Sequence, residues 1–338
     1  MNNFALESLR SHRWFKLICG ASFQHLPSIR NLALVYTLAG ADCIDMAPDP
    51  AVITAAKAGI EAAKLLDQNV NSPLVMVSFN AGEDPHFRKA KFNPDSCPSE
   101  CDRPCIPLCP TNAINISGVI ENLCYGCGRC LPVCPPQIIY TQEQVYKPEL
   151  IATKLENSID AIEIHTNSEY LAEFKDLWQS LGELIPNLQV VAVSFPDSEN
   201  LQEYLMALLE IMQPAPRQLI WQTDGRPMSG DIGDGATRAA LLLGRKVLDF
   251  NLPTGFVQLA GGTNDSTVNK VRSLNLAISG IAYGGYARKL VADLINDHDR
   301  LEEYPDLLWQ AVERAKNLVA QIKNSQQLLQ SLPADTNR

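Results

Sequence analysis

The sequence predicts an α/β protein built on a (β/α)8 TIM-like barrel, with one interruption. Three observations lead there. Short β-rich runs alternate with amphipathic helical runs eight times. Such alternation builds a parallel sheet covered by its crossover helices, and eight units are the number that closes a barrel. The turn after the first run, Cys19-Gly20-Ala21-Ser22, lacks the Gly-x-Gly-x-x-Gly fingerprint of the open doubly wound sheet, which is the alternative. Finally, eight of the ten cysteines lie between Cys97 and Cys134, after the third strand and before the fourth, and so belong to a module inserted into the barrel.

The elements follow in order. Residues 17–19 read as the first strand and 27–39 as its helix, ending at Gly40, a residue suited to the left-handed position beyond a helix C-terminus. Residues 43–46 and 74–79 are the next strands, with a helix over 51–66 between them. Beyond the cysteines the pattern gives a helix at 148–157 and a strand at 161–165. Helix 170–184 and strand 190–195 come next, followed by helix 201–212 and strand 218–222. Helix 236–248 leads to strand 256–260, and helix 268–274 leads to strand 277–282. Helix 286–296 completes the eighth unit. A long Leu/Ala/Lys/Gln-rich helical pattern over 304–332 is an extra C-terminal helix, and 333–338 read as a frayed tail. The expected organisation is barrel over 1–80, insertion over 81–142, barrel again over 143–300, and helix plus tail over 301–338.

The cysteines form two runs, Cys97-x3-Cys101-x3-Cys105-x3-Cys109-Pro110 and Cys124-x2-Cys127-x2-Cys130-x3-Cys134-Pro135. A disulfide framework needs an oxidising compartment, and the first residues, 1–13, carry charges and lack a secretory apolar core. A zinc ribbon uses two Cys pairs and a longer spacer, with four ligands rather than eight. The second run matches the bacterial ferredoxin pattern for a cubane iron–sulfur cluster, in which the Cys-Pro cysteine of one run ligates the other cluster. Carried over from that pattern, one cluster takes Cys97, Cys101, Cys105 and Cys134, and the other takes Cys124, Cys127, Cys130 and Cys109. The flanks Cys109-Pro110-Thr111-Asn112-Ala113-Ile114 and Cys134-Pro135-Pro136-Gln137-Ile138-Ile139 also resemble ferredoxin half-motifs. The first run departs from x2-x2-x3 spacing, which leaves its cluster open between a less symmetric 4Fe–4S and a 3Fe–4S. Cys19 and Cys43 sit in apolar runs and read as small core hydrophobes.

Composition narrows the function further. With 28 Lys+Arg against 38 Asp+Glu, the formal charge is −10, which disfavours a sequence-independent hold on nucleic acid. No apolar stretch reaches the length of a membrane span, so a cytoplasmic protein is expected. Because βα loops lie on the C-terminal face of a barrel, where active sites gather, the insertion should stand over the barrel mouth. Two glycine pairs follow the seventh and eighth strands, Gly261-Gly262 and Gly284-Gly285. They suit a bound phosphate, as in flavin mononucleotide (FMN) or a phosphorylated metabolite, and equally suit plain tight turns. The Gly- and Asp-rich loop over 223–235 reads either as a site loop, with Arg226 gripping an anion and Thr237 helping to cap the next helix, or as a flexible connection. Lys16 on the first strand points to a ligand or to a salt bridge, and His25 and His165 follow strands one and four towards the mouth. There is no Gly-x-Ser-x-Gly, Walker loop or His-Glu-x-x-His.

The opening Trp14-Phe15-Lys16-Leu17-Ile18-Cys19-Gly20-Ala21-Ser22, the segment Leu38-Ala39-Gly40-Ala41-Asp42-Cys43-Ile44-Asp45 and the double cysteine run together resemble the cyanobacterial light-dependent-period family of iron–sulfur proteins, over nearly the whole chain. That resemblance implies a redox sensor that feeds the light-dependent metabolic state into the circadian clock, with clock input and core proteins as partners and a quinone or another redox metabolite as a candidate signal. The alternative is an oxidoreductase in which the clusters pass electrons to a flavin or phosphorylated substrate in the barrel.

Overall fold

The computed structural model describes residues 3–144, 158–225 and 237–324. Helix α1 (Asn3–Arg10) precedes β1 (Trp14–Ile18), and α2 (Leu26–Ala39), β2 (Cys43–Met46), α3 (Pro50–Leu66) and β3 (Leu74–Asn80) follow. The insertion then carries β4 (Arg88–Lys91), a single helical turn α4 (Cys105–Leu108), β5 (Ile114–Asn115), β6 (Gly118–Val119), a second turn α5 (Cys130–Val133) and β7 (Tyr140–Glu143). The barrel resumes with β8 (Ala161–His165), α6 (Leu171–Ser180), β9 (Val190–Phe195), α7 (Leu201–Ile211), β10 (Leu219–Asp224) and α8 (Thr237–Asp249). It finishes with β11 (Phe256–Ala260), α9 (Thr267–Ser273), β12 (Gly280–Tyr283) and α10 (Gly285–Ile295), after which α11 (Pro305–Lys323) packs outside.

The eight barrel strands close in the order β1-β2-β3-β8-β9-β10-β11-β12 and back to β1. All of their pairings are parallel, with Lys16 opposite both Cys43 and Ala282. The insertion leaves after β3 and has its own antiparallel ribbons, β4 with β7 and β5 with β6. No described helix is long and apolar enough to cross a membrane.

Local sequence accounts for the ends of these elements. Pro50 starts α3 where its missing N–H costs nothing, and the Asp49 carboxylate before it accepts the Ala51 N–H at 2.8 Å. Gly40 takes the left-handed position after α2 at φ 91°, as its place in the sequence predicts. The first strand begins at Trp14 rather than 17, because Trp14 to Leu17 pair with the last strand. That last strand is itself confined to Gly280–Tyr283. The sixth strand runs on to Asp224, which pairs with Ala260. Helix α6 stops at Ser180 instead of 184, where the Leu181 N–H closes the final turn and Gly182 and Pro186 follow. The helix expected over 148–157, Arg226, and the end of the C-terminal helix with its tail lie outside the described residues.

Helix α1 has no counterpart in the sequence reading. Its Ala5 and Leu9 are buried against Trp14, Cys43, Leu74, Met76, Ala161, Val190, Ala192 and Ile220, so it stoppers the base of the barrel. A fully buried leucine contributes roughly 1.5–3 kcal/mol relative to exposure, enough to hold a short helix there. Cys43 is a fully buried member of that layer, and Cys19 is fully buried in the main core. Burial pushes the Cys19 thiol up to about 12 and the Cys43 thiol well above its ordinary value, so both stay neutral and pack as hydrophobes.

Candidate metal centre and barrel-mouth site

Above the apolar base the barrel interior turns polar. Lys16, Asp45, Ser78, Glu163, Ser194, Gln222 and Gln258 are all buried and come from strands spread around the sheet. Lys16 Nζ donates to Glu163, donates to Gln222 Oε1 at 3.0 Å, and lies 3.7 Å from Asp45. Gln222 Nε2 donates to Glu163 Oε1 at 2.6 Å and to Ser194 Oγ at 3.0 Å, and Ser78 Oγ donates to Asp45 Oδ1 at 2.7 Å. Burial alone lowers a lysine pKa, yet Asp45 and Glu163 outweigh it and hold Lys16 above its usual value. Burial also lifts Asp45, to about 6, against the pull of Lys16. Lys16 therefore points inward, and its role is the buried salt bridge.

His165, at the mouth end of β8, sits between two carboxylates. Its Nε2 is 2.8 Å from Glu163 Oε1 and its Nδ1 is 3.4 Å from Asp84 Oδ2. Asp84 opens the insertion; its carboxylate accepts the His86 N–H at 2.7 Å and meets His86 Nδ1 at 2.8 Å. His86 Nε2 in turn faces Asp224 Oδ2 at 3.8 Å. Desolvation disfavours both imidazoliums. The neighbouring carboxylates overcome it, raising His86 and lifting His165 well above the usual histidine range, while the two histidines hold Asp84 well below the usual carboxylate range. His25 is elsewhere, bonded to Ser28 Oγ at 2.8 Å in the position just before α2.

His86, His165, Glu163 and Asp224 line an open cleft, together with Gly261, Gly262, Gly284, Gly285, Tyr125 and Arg288. Gly284 stands immediately before α10, so all four glycines named from the sequence meet in one place. Tyr125 comes from the insertion and Arg288 from α10. The guanidinium lies 4.3 Å from the centre of the Tyr125 ring and donates to the Ile18 carbonyl at 2.7 Å. The insertion is also docked on the loop after β1. Ser22 Oγ donates to the His86 carbonyl at 3.0 Å, Lys89 Nζ donates to Gln24 Oε1 at 2.6 Å, and Phe23 packs edge-on against Tyr125.

Within the insertion the cysteines gather as two sets of four. Cys97, Cys101, Cys105 and Cys134 line one cavity, and Cys109, Cys124, Cys127 and Cys130 line the other. The halves repeat. Helices α4 and α5 each begin on the third cysteine of a run, and Asn112 and Gln137, each three residues after a Cys-Pro cysteine, adopt φ 52° and 55°. Backbone N–H groups point at sulfur from Ala113 to Cys109 at 3.2 Å, from Ala90 to Cys124 at 3.4 Å and from Arg103 to Cys101 at 3.4 Å. Burial and then the neighbouring Cys127 and Cys124 push the Cys130 thiol up to about 12. Four thiolates repel one another in so small a space, and iron supplies the countercharge that lets them ionise together. The donor set therefore fits a thiolate-ligated iron–sulfur centre.

Sequence reasoning did not single out Asp45, Asp84, His86, Glu163, Gln222, Asp224, Tyr125 or Arg288. A signal was present for some of them, because charged and amide side chains inside apolar strand runs have to face something polar.

The fold and site define an α/β barrel that carries an iron–sulfur-binding insertion at its mouth. A sequence profile described as the LdpA Fe-S cluster-binding domain matches residues 97–145, and one described as the Light dependent period A C-terminal domain matches 154–321. The protein "Light dependent period A" of Synechococcus elongatus is 48% identical over 335 residues, covering 96% of this chain and 95% of the relative. The chain belongs to the light dependent period A family and is an iron–sulfur protein of it. Among solved structures, tryptophan synthase from M. tuberculosis aligns over 94% of this chain and 95% of its own at 10% identity and a TM-score of 0.47. The tryptophan synthase alpha chain from Legionella pneumophila aligns over 97% and 99% at 12% identity and a TM-score of 0.46. Nothing about chemistry carries across from likenesses so distant.

Proposed function

We propose that this chain is an iron–sulfur redox sensor that couples the light-dependent redox state of the cell to the circadian clock through partner proteins. One cluster is held by Cys97, Cys101, Cys105 and Cys134, and the other by Cys109, Cys124, Cys127 and Cys130. The observation that carries the reading is the pair of four-cysteine cavities in the insertion, the second of which shares Tyr125 with the barrel-mouth cleft. A bound cluster takes up or releases single electrons. Each electron changes the charge of the insertion by one unit beside a surface that a partner can read, which is a local electrostatic switch. The relative's name supports light and period as the input and output.

The test is Cys127→Ser in cells whose clock period responds to light, alongside anaerobic purification of the same variant. The expected result is loss of about half the iron and sulfide, as for one of two cubanes, an unchanged far-ultraviolet circular dichroism spectrum, and loss of the light response. A normal light response without the second cluster would refute the sensor.

A second reading has one observation in its favour: Gly261, Gly262, Gly284 and Gly285 all line the same cleft as His86 and His165. In that reading the barrel is an oxidoreductase holding a flavin or phosphorylated metabolite there. Flavin released stoichiometrically on denaturation would select it.

A further inference from the structure

The two histidines at the mouth have matching surroundings. Each turns its Nε2 edge to a carboxylate, His165 to Glu163 at 2.8 Å and His86 to Asp224 at 3.8 Å. Each turns its Nδ1 edge to the shared Asp84, at 3.4 Å and 2.8 Å. His165 is held as metal-binding histidines typically are, with the far nitrogen within hydrogen-bond distance of a carboxylate that fixes the tautomer and makes the near nitrogen a better ligand, and Asp224 faces the far nitrogen of His86 at ion-pair distance. One ligand atom each from Asp84, His86 and His165 lies within 4.8 Å of the others. Bonds of about 2.0–2.2 Å close that gap with small side-chain rotations.

Charge points the same way. Asp84, Glu163, Asp224 and Asp45 converge here, with Lys16 in the barrel interior and Arg288 on the cleft wall as basic side chains near them. A divalent ion would take the place of the protons that these carboxylates otherwise hold on the two imidazoles. His86 and His165 also line the open cleft, which leaves coordination positions on that side for an oxygen ligand.

We propose that Asp84, His86 and His165 hold one divalent first-row transition ion at the barrel mouth, with Glu163 and Asp224 orienting the two imidazoles. The set of two histidines and one carboxylate, with open positions, is the arrangement that suits Fe(II) and ions of similar preference. This site is separate from the cysteines and stands whether or not the sensor reading does. It joins the first turn of the insertion to a strand of the barrel, so its occupancy ties the two together.

The test uses the full protein with its clusters intact and oxidised. Mn2+ serves as the probe, and its free six-line electron paramagnetic resonance signal is followed during titration. The wild type is expected to remove one Mn2+ per chain, saturably. His86→Ala is expected to weaken binding at least tenfold, and Asp84→Asn likewise, while keeping an oxygen for the turn that Asp84 caps. Asp224→Asn is expected to weaken it by about tenfold, at the lower end of the range for loss of an outer-shell partner. Cysteine-bound iron, assayed in parallel, is expected to stay constant in all three. No saturable Mn2+ binding by the wild type would overturn the proposal, as would equal affinities in wild type, His86→Ala and Asp84→Asn.

Discussion

Replacing Glu163 with glutamine tests whether the polar belt holds the barrel interior together. The substitution keeps the shape of the side chain and removes its charge. Lys16 is fully buried and would then keep Gln222 Oε1 at 3.0 Å and Asp45 at 3.7 Å as its partners. Breaking a buried pair from one side costs about 3–5 kcal/mol, because the remaining charge is left uncompensated. Asp45 softens the loss, since at 3.7 Å and an effective dielectric near 20 the attraction is roughly 4 kcal/mol. The expected cost for Glu163→Gln is therefore about 3 kcal/mol, at the low end of that range. Lys16→Met removes the other charge and leaves Asp45 with Ser78, and Glu163 with His165 and Gln222, as partners, so it should cost about 3 kcal/mol as well. The double variant should cost less than the two singles together by at least about 1 kcal/mol, as expected for residues in direct contact. The assay is urea denaturation at pH 7.5 with tryptophan fluorescence, comparing midpoints at constant slope. Two single variants that each cost under about 1 kcal/mol and add without coupling would refute this account of the belt.

Other outcomes follow from single contacts. Gly126 has φ 74°, and a Cβ there would meet the Arg88 carbonyl oxygen at 2.0 Å. Gly126→Ala should therefore displace β4 or the ligand loop and lower iron content at the Cys109, Cys124, Cys127 and Cys130 site, and unchanged iron per chain would contradict it. Arg30 pairs with Glu302, tying α2 to the segment before α11. Burial pushes the Glu302 carboxyl up, but the hydrogen bonds from Arg30 pull it down further, to about 2. A depressed carboxyl stabilises above its unfolded pKa and loses that contribution as pH falls through the folded one. Wild-type stability should thus drop between about pH 5 and pH 2 by about 1 kcal/mol more than that of Glu302→Gln, measured as the difference in urea midpoint across the pH series.

Much of the barrel could be read from the chain because parallel strands covered on both faces leave uninterrupted apolar runs. The runs at 43–46, 161–165, 190–195 and 256–260 coincide with observed strands. The cysteine sets were readable for a different reason. Three ligands of each set are close in the chain, and the fourth is marked by the proline after it. The polar belt was not readable. Lys16, Glu163 and Gln222 are far apart in sequence, and only closure of the sheet brings them within hydrogen-bonding distance. Asp84-Pro85-His86 looks like an ordinary turn signal, and nothing in the sequence says that its side chains face β8. Helix α1 was missed because its eight residues show few large apolar side chains, and what they cover is assembled from strands along the whole chain.

With α1 seated in the base, the barrel behaves as a blind vessel: among the described residues, what reaches the polar belt does so through the rim. The insertion that gathers the cysteines stands at that rim, with Tyr125 forming part of the cleft wall. Whatever enters the barrel interior therefore passes directly beside the insertion, with the Tyr125 ring as one jamb of the doorway.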